Sequence, residues 1–167
     1  MTIRRALALA ALILAVAAPA AAQDWQSFTN DRFGATADVP AGWRANPPPA
    51  NGDGLSFTSP DGTATVAVYG SFQAFDTLAE SVAILEAPLD GETITYRHTD
   101  GKTVVVSGLR GDTIFYRKSL LSCGGTIWNG ISIEYPAADK AQYDALVTHV
   151  ARSLKPGPGY ESEGCVD

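Results

Sequence analysis

The chain has 167 residues, of which 12 are Lys or Arg, 18 are Asp or Glu and two are Cys. Residues 1–22 hold Arg4 and Arg5 and no acid, which leaves 10 basic against 18 acidic side chains beyond them, a net charge of −8. That balance excludes nucleic acid as a partner, because binding a phosphate backbone requires clustered Lys and Arg.

Residues 1–22 read as a secretory signal peptide: Arg4 and Arg5 form the basic start, residues 6–18 the apolar run, and Ala20-Ala21-Ala22 a small-residue cleavage site. The run is too short and too rich in alanine for a membrane span, and no cysteine stands at a lipoprotein position. The expectation is a mature chain beginning at Gln23, periplasmic or secreted, from a Gram-negative bacterium, with no integral membrane span once the signal is removed. Residues 23–167 show neither linker nor internal repeat, so a single domain is expected, and a monomer. Cys123 and Cys165 both fall in this part, and an even count in an exported protein predicts a disulfide that ties back the tail, residues 155–167. It closes a loop of roughly 43 residues, for which chain entropy gives about 4 kcal/mol. Two cysteines without a nearby histidine do not make a zinc site.

Residues 25–28 and 34–39 read as two short strands about a turn at Asn30-Asp31-Arg32, with Trp25 and Phe28 as core aromatics. Pro40 to Trp43 end the second strand. Pro47-Pro48-Pro49 then hold a stiff extended loop, since stacked prolines cannot join a helix or a central ladder. Asn51-Gly52-Asp53-Gly54 has the look of a calcium loop, but the EF-hand register puts Pro49 first and Pro60 twelfth, and neither offers a ligand side chain. Residues 55–58 and 63–69 make a hairpin on Ser59-Pro60-Asp61-Gly62. In its second strand Ala64, Val66, Val68 and Gly70 alternate with Thr63, Thr65, Ala67 and Tyr69, so the aliphatic face should meet a helix.

Thr77 and Glu80 form a capping box, and Leu78, Val82, Leu85 and Leu89 recur at helical spacing, with Pro88 as the stop. Residues 93–97, 103–109, 113–121 and 126–135 follow as a meander broken at Gly-containing turns. In the last of these strands Ile127, Ile131, Ile133 and Tyr135 share one face, and Trp128, Ser132 and Glu134 the other. Pro136 opens a final helix whose apolar stripe is Tyr143, Leu146, Val147, Val150 and Leu154.

This order predicts an α+β fold, an antiparallel β-sheet of about six or seven strands with two main helices packed on it. Phe28, Arg32-Phe33-Gly34 and Val39-Pro40-Ala41-Gly42-Trp43, with the strand entering Tyr135-Pro136 ahead of a terminal amphipathic helix, resemble the PsbP-like (Mog/PsbP) family of α/β/α sandwiches. The resemblance spans most of residues 25–155. It implies a small accessory or binding protein, since members include photosystem assembly factors and a Ran-binding factor. No functional motif of the family maps onto particular residues.

Chemistry-bearing residues are sparse. His98 sits at a hairpin turn, His149 falls off the apolar stripe and reads as solvated, and no serine stands in a Gly-x-Ser-x-Gly elbow. Ser107, Ser119 and Ser122 read as strand residues. Asp53, Asp61, Glu92, Asp100 and Asp112 read as turn carboxylates. Arg110, Arg117 and Lys118 form either a local basic spot or an ordinary solvated strand face. Tyr69, Phe72 and Phe75 bridge a strand end and a helix start; they line a candidate hydrophobic ligand groove, with core packing as the alternative. No catalytic, cofactor-binding or metal residue is assigned. The reading is an exported, non-enzymatic accessory or binding module of the cell envelope, acting on a protein or small ligand; the alternative is a small periplasmic hydrolase with an unrecognised active site.

Overall fold

The computed structural model describes residues 23–163 and 165, so the predicted signal peptide lies outside the described residues. Nine strands and two α-helices follow in the order β1 (Trp25–Thr29), β2 (Thr36–Pro40), β3 (Arg44–Ala45), β4 (Gly54–Thr58), β5 (Thr65–Phe72), α1 (Leu78–Glu86), β6 (Glu92–Thr99), β7 (Thr103–Arg110), β8 (Thr113–Ser122), β9 (Ile127–Pro136) and α2 (Lys140–Ser153). β1 and β2 form a separate hairpin. The other seven strands form one antiparallel sheet in the order β3-β4-β5-β9-β8-β7-β6.

The central pair is β5 with β9, in a register that sets Val66 opposite Ile133 and Val68 opposite Ile131. All four are fully buried, and each stabilises the fold by about 1.5–3 kcal/mol on that account. They face α2 and β2, with Ala37, Val39, Tyr143, Val150 and Leu154 completing the layer. Tyr135 and Tyr143 stack there with ring centroids 4.9 Å apart. The opposite face carries Val104, Val106, Phe115 and Trp128, all buried, and is covered in part by α1, which packs on β7. The Trp128 indole N–H donates to Ser81 Oγ at 2.8 Å, so the one buried polar side chain of α1 meets the one buried polar group of that tryptophan.

The local signals hold at most boundaries. Thr77 and Glu80 close the capping box in both directions. The β4–β5 turn places Gly62 at φ 77°, a conformation that strains any residue with a Cβ. α1 stops at Glu86, because Ala87 precedes Pro88 and is driven into an extended conformation. Other boundaries differ from expectation: β2 begins at Thr36 and not at residue 34, β5 runs Thr65–Phe72 and not over residues 63–69, and Leu89 lies beyond the end of α1. β3, a two-residue edge strand, has too few residues to show a period. Pro136 closes β9 and caps a 3-10 turn, Ala137–Asp139, and α2 begins only at Lys140.

Beyond α2 the chain runs back along the β1–β2 connection. Lys155 exchanges backbone hydrogen bonds with Thr36 at 2.9 and 3.0 Å, the Tyr160 N–H donates to Asp31 O, and the Glu161 N–H to Arg32 O. The apposition is close enough that a Cβ added at Gly159 would fall 2.4 Å from the Gly34 nitrogen. Cys165 ends this run against Cys123 at disulfide distance, with Cα atoms 4.8 Å apart. Alkylation under denaturing, non-reducing conditions should therefore label neither cysteine, and labelling of both refutes the bridge. After reduction the amides of Tyr160 and Glu161 should exchange with solvent faster, because loss of the covalent anchor leaves only short-range hydrogen bonds to hold the tail.

Candidate functional site

The three aromatics singled out in the sequence are divided by the pleat. Tyr69 pairs with Gly130 across β5 and β9, and its ring covers that glycine so closely that an added Cβ would lie 2.6 Å from it. Burial pushes the Tyr69 phenol up, against the opposing effects of the Arg117 charge and a hydrogen bond with Ser119. Tyr69 also borders a shallow cleft of ≈ 540 Å³ with Pro47, Pro49, Asp53 and Ser56. Phe72 lies an odd number of residues along the same strand and so points to the other face. There it meets Phe33 edge-on at 5.0 Å, with Arg32 over its ring. Phe72 and Phe75 remain 46% and 43% exposed. Tyr69 and Phe72 thus do not line one groove.

His149 is not simply solvated. Its ring stacks on Trp25 with centroids 3.8 Å apart and planes 11° from parallel, and its Nε2 lies 2.9 Å from Asp38 Oδ2. The Asp38 backbone N–H in turn donates to Ser153 Oγ at 2.9 Å, which ties this point of β2 to the end of α2. His98 is exposed and lies 3.6 Å from Asp100. Among the described residues neither histidine hydrogen-bonds a serine or threonine hydroxyl.

Beside the Trp25–His149 stack is a cleft of ≈ 680 Å³ that sequence reasoning did not find. The start of β1 supplies Gln23 and Trp25, the β2–β3 connection Trp43, the β4–β5 turn Ser59, Pro60 and Asp61, and α2 Gln142, Tyr143, Ala145, Leu146 and His149. These come from four separate segments. The one available signal was Trp43, an aromatic placed straight after a strand-ending Pro-Ala-Gly. Asp61 Oδ1 accepts from Ser59 Oγ at 2.5 Å, from Thr63 Oγ1 at 2.9 Å and from the Thr63 N–H at 3.1 Å. The Ser59 hydroxyl above all, then Thr63, holds its carboxyl below the ordinary range.

No protein-family model matches the chain, and no curated protein matches it. It is similar to the solution structure of cyanobacterial PsbP (CyanoP) from Synechocystis sp. PCC 6803, with a TM-score of 0.61 and 14% sequence identity, over 86% of this chain and 98% of that one. The fold is PsbP-like. The α+β arrangement expected from element order, and the family it resembles, are in agreement with this likeness. At that identity it concerns architecture, and site residues have to be argued from this chain alone. Among the described residues no group of three or more His, Cys, Asp or Glu is placed to hold a metal, and no helix is long and apolar enough to cross a membrane.

Arg110 and Arg117 pair with carboxylates on the α1 face of the PsbP-like sheet. Arg117 Nη1 donates to Glu92 Oε1 and Oε2 at 2.7 and 3.0 Å, its Nη2 donates to Ala87 O, and its guanidinium lies over Phe115. Arg110 Nη2 donates to Glu134 Oε2 at 2.5 Å. Lys118 projects to the opposite face, where its Nζ donates to Ala151 O at 2.8 Å. The three cations therefore form neither a basic spot nor a solvated face. The Glu92 side chain is wholly covered. Its burial pushes the carboxyl up, but the hydrogen bonds from Arg117 and the Leu89 N–H, with the charges of Arg117 and Arg110, outweigh this and hold it below its ordinary value. A carboxylate whose folded pKa is depressed contributes stability that is present above its unfolded value, near 4.3, and lost as pH falls through the folded one. Stability of the parent should drop on the acid side of about pH 4.3 by more than that of Glu92→Gln, as read from urea midpoints across pH. Equal slopes for the two proteins would contradict the pairing.

Proposed function

We propose that this chain is an exported, non-enzymatic accessory or binding module of the cell envelope, and that the cleft bordered by Trp25, Trp43, Tyr143 and His149 receives its ligand. The observation that carries the reading is the convergence of these aromatics, with a few polar groups, from four separate segments on a cavity of ≈ 680 Å³. Small-molecule sites have this size and this mixture of apolar walls and sparse polar groups. The Cys123–Cys165 pair favours an oxidising compartment. The PsbP-like fold supports an accessory role by analogy.

The hydrolase reading has one observation in its favour, the His149–Asp38 pair at 2.9 Å, which is two-thirds of a nucleophile–base–acid array. A hydroxyl on the second ring nitrogen would complete it, and no serine or threonine among the described residues makes that bond. The test is an assay with p-nitrophenyl acetate and p-nitrophenyl phosphate. No turnover above buffer is expected; turnover that His149→Ala abolishes would overturn the binding-module reading.

A further inference from the structure

The side-chain charges that line the aromatic cleft are one-sided. Its lining contains no Lys or Arg and a single carboxylate, Asp61. Asp61 is exposed, and its three side-chain hydrogen bonds all fall on Oδ1, so Oδ2 accepts none among the described residues. Of the other ionisable side chains on the wall, Tyr143 and His149, the latter is already engaged by Asp38. Of the rings, Tyr143 is covered by Tyr135, and one face of Trp25 by His149. Trp25 and Trp43 are half-buried, packed on one side against the core, and both border the cleft. Indole faces attract cations through their quadrupole, more strongly than phenyl or phenol rings do. The chain beyond residue 22 carries a net charge of −8, which raises the local concentration of cations at its surface.

We infer that this cleft binds an organic ammonium group, with Trp25 and Trp43 beside the cation and Asp61 Oδ2 as its counter-charge. The inference rests on the cleft being the ligand site and adds the chemical class of the ligand. A neutral polar ligand such as a saccharide would stack on the same rings without using the carboxylate's charge. On the expected cleavage before Gln23 the chain would start with an α-ammonium on a residue that lines the cleft, so affinity is to be measured on a chain that begins at Gln23, with that charge present.

The probes are choline and its neutral carbon isostere 3,3-dimethyl-1-butanol, titrated at constant ionic strength. The readout is the indole N–H resonances of the three tryptophans. Choline should shift Trp25 and Trp43 saturably and leave Trp128 unmoved, since that indole is buried and bonded to Ser81. It should bind about tenfold more tightly than the isostere. Trp43→Ala and Asp61→Asn should each weaken choline about five- to tenfold, with the Trp128 resonance reporting that each variant is folded. Asn keeps an oxygen for the turn bonds of Asp61 and so isolates the loss of charge.

Equal affinity for choline and the isostere would overturn the inference, as would no shift with choline. An N-acetylglucosamine oligomer that moves Trp25 and Trp43 where choline does not would overturn the ammonium class but leave the cleft as a binding site. Silence with every probe removes the inference without testing for other ligands of the cleft, so the two readings fail separately. Choline-dependent shifts with no co-sedimentation on phosphatidylcholine vesicles support a free ammonium ligand. Co-sedimentation that Trp43→Ala abolishes supports the same group carried on a lipid.

Discussion

The antiparallel pairing of β5 with β9 joins the two halves of the sheet and fixes what each remaining element meets. Because the register sets Val66 against Ile133 and Val68 against Ile131, both strands turn a continuous aliphatic band to one side. α2 and the β1–β2 hairpin can only cover that side. A slip of one residue would turn the whole band outward and bring Tyr69, Trp128 and Glu134 under α2. The apolar band thus determines, by exclusion, where polar and aromatic groups remain near solvent.

The candidate sites follow from that division. On the α1 face the helix covers the β7 side, and the rest of the face is occupied by pairs of opposite charge and by the Tyr69 ring laid over Gly130. On the α2 face the cover is assembled from several short pieces, and a cleft stays open where β1, the Trp43 segment, the β4–β5 turn and α2 come together. A single long helix would have left no such junction. Clefts form where covering elements end.

Much of the architecture was legible because its signals are local. The capping box at Thr77 and Glu80, the alternation along residues 64–70 and the Gly-bearing turns of the meander each need only a few neighbours to be read. The opposed directions of Tyr69 and Phe72 were legible too, since an odd spacing on one strand reverses the face; the expectation of a shared groove overlooked this. What was not legible depends on residues far apart in the chain. His149 reads as solvated on its own helix, but Trp25 supplies the ring that covers it. Arg117 reads as a surface cation until Glu92, at the start of β6, is brought beneath it. No local period reports that β5 neighbours β9 instead of β6.

That neighbour relation also governs the order in which the chain can close upon itself. The ladders β6·β7, β7·β8 and β8·β9 each join segments separated by a short turn, as β4·β5 does. The β5·β9 ladder instead joins Phe72 to Ile127 and Thr65 to Glu134, across α1 and three intervening strands. Within the seven-stranded sheet, loop-closure entropy falls mainly on this one seam. The sheet thus consists of two locally connected pieces, β3 to β5 and a four-strand meander, and its non-local contact order is concentrated in the single ladder that joins them.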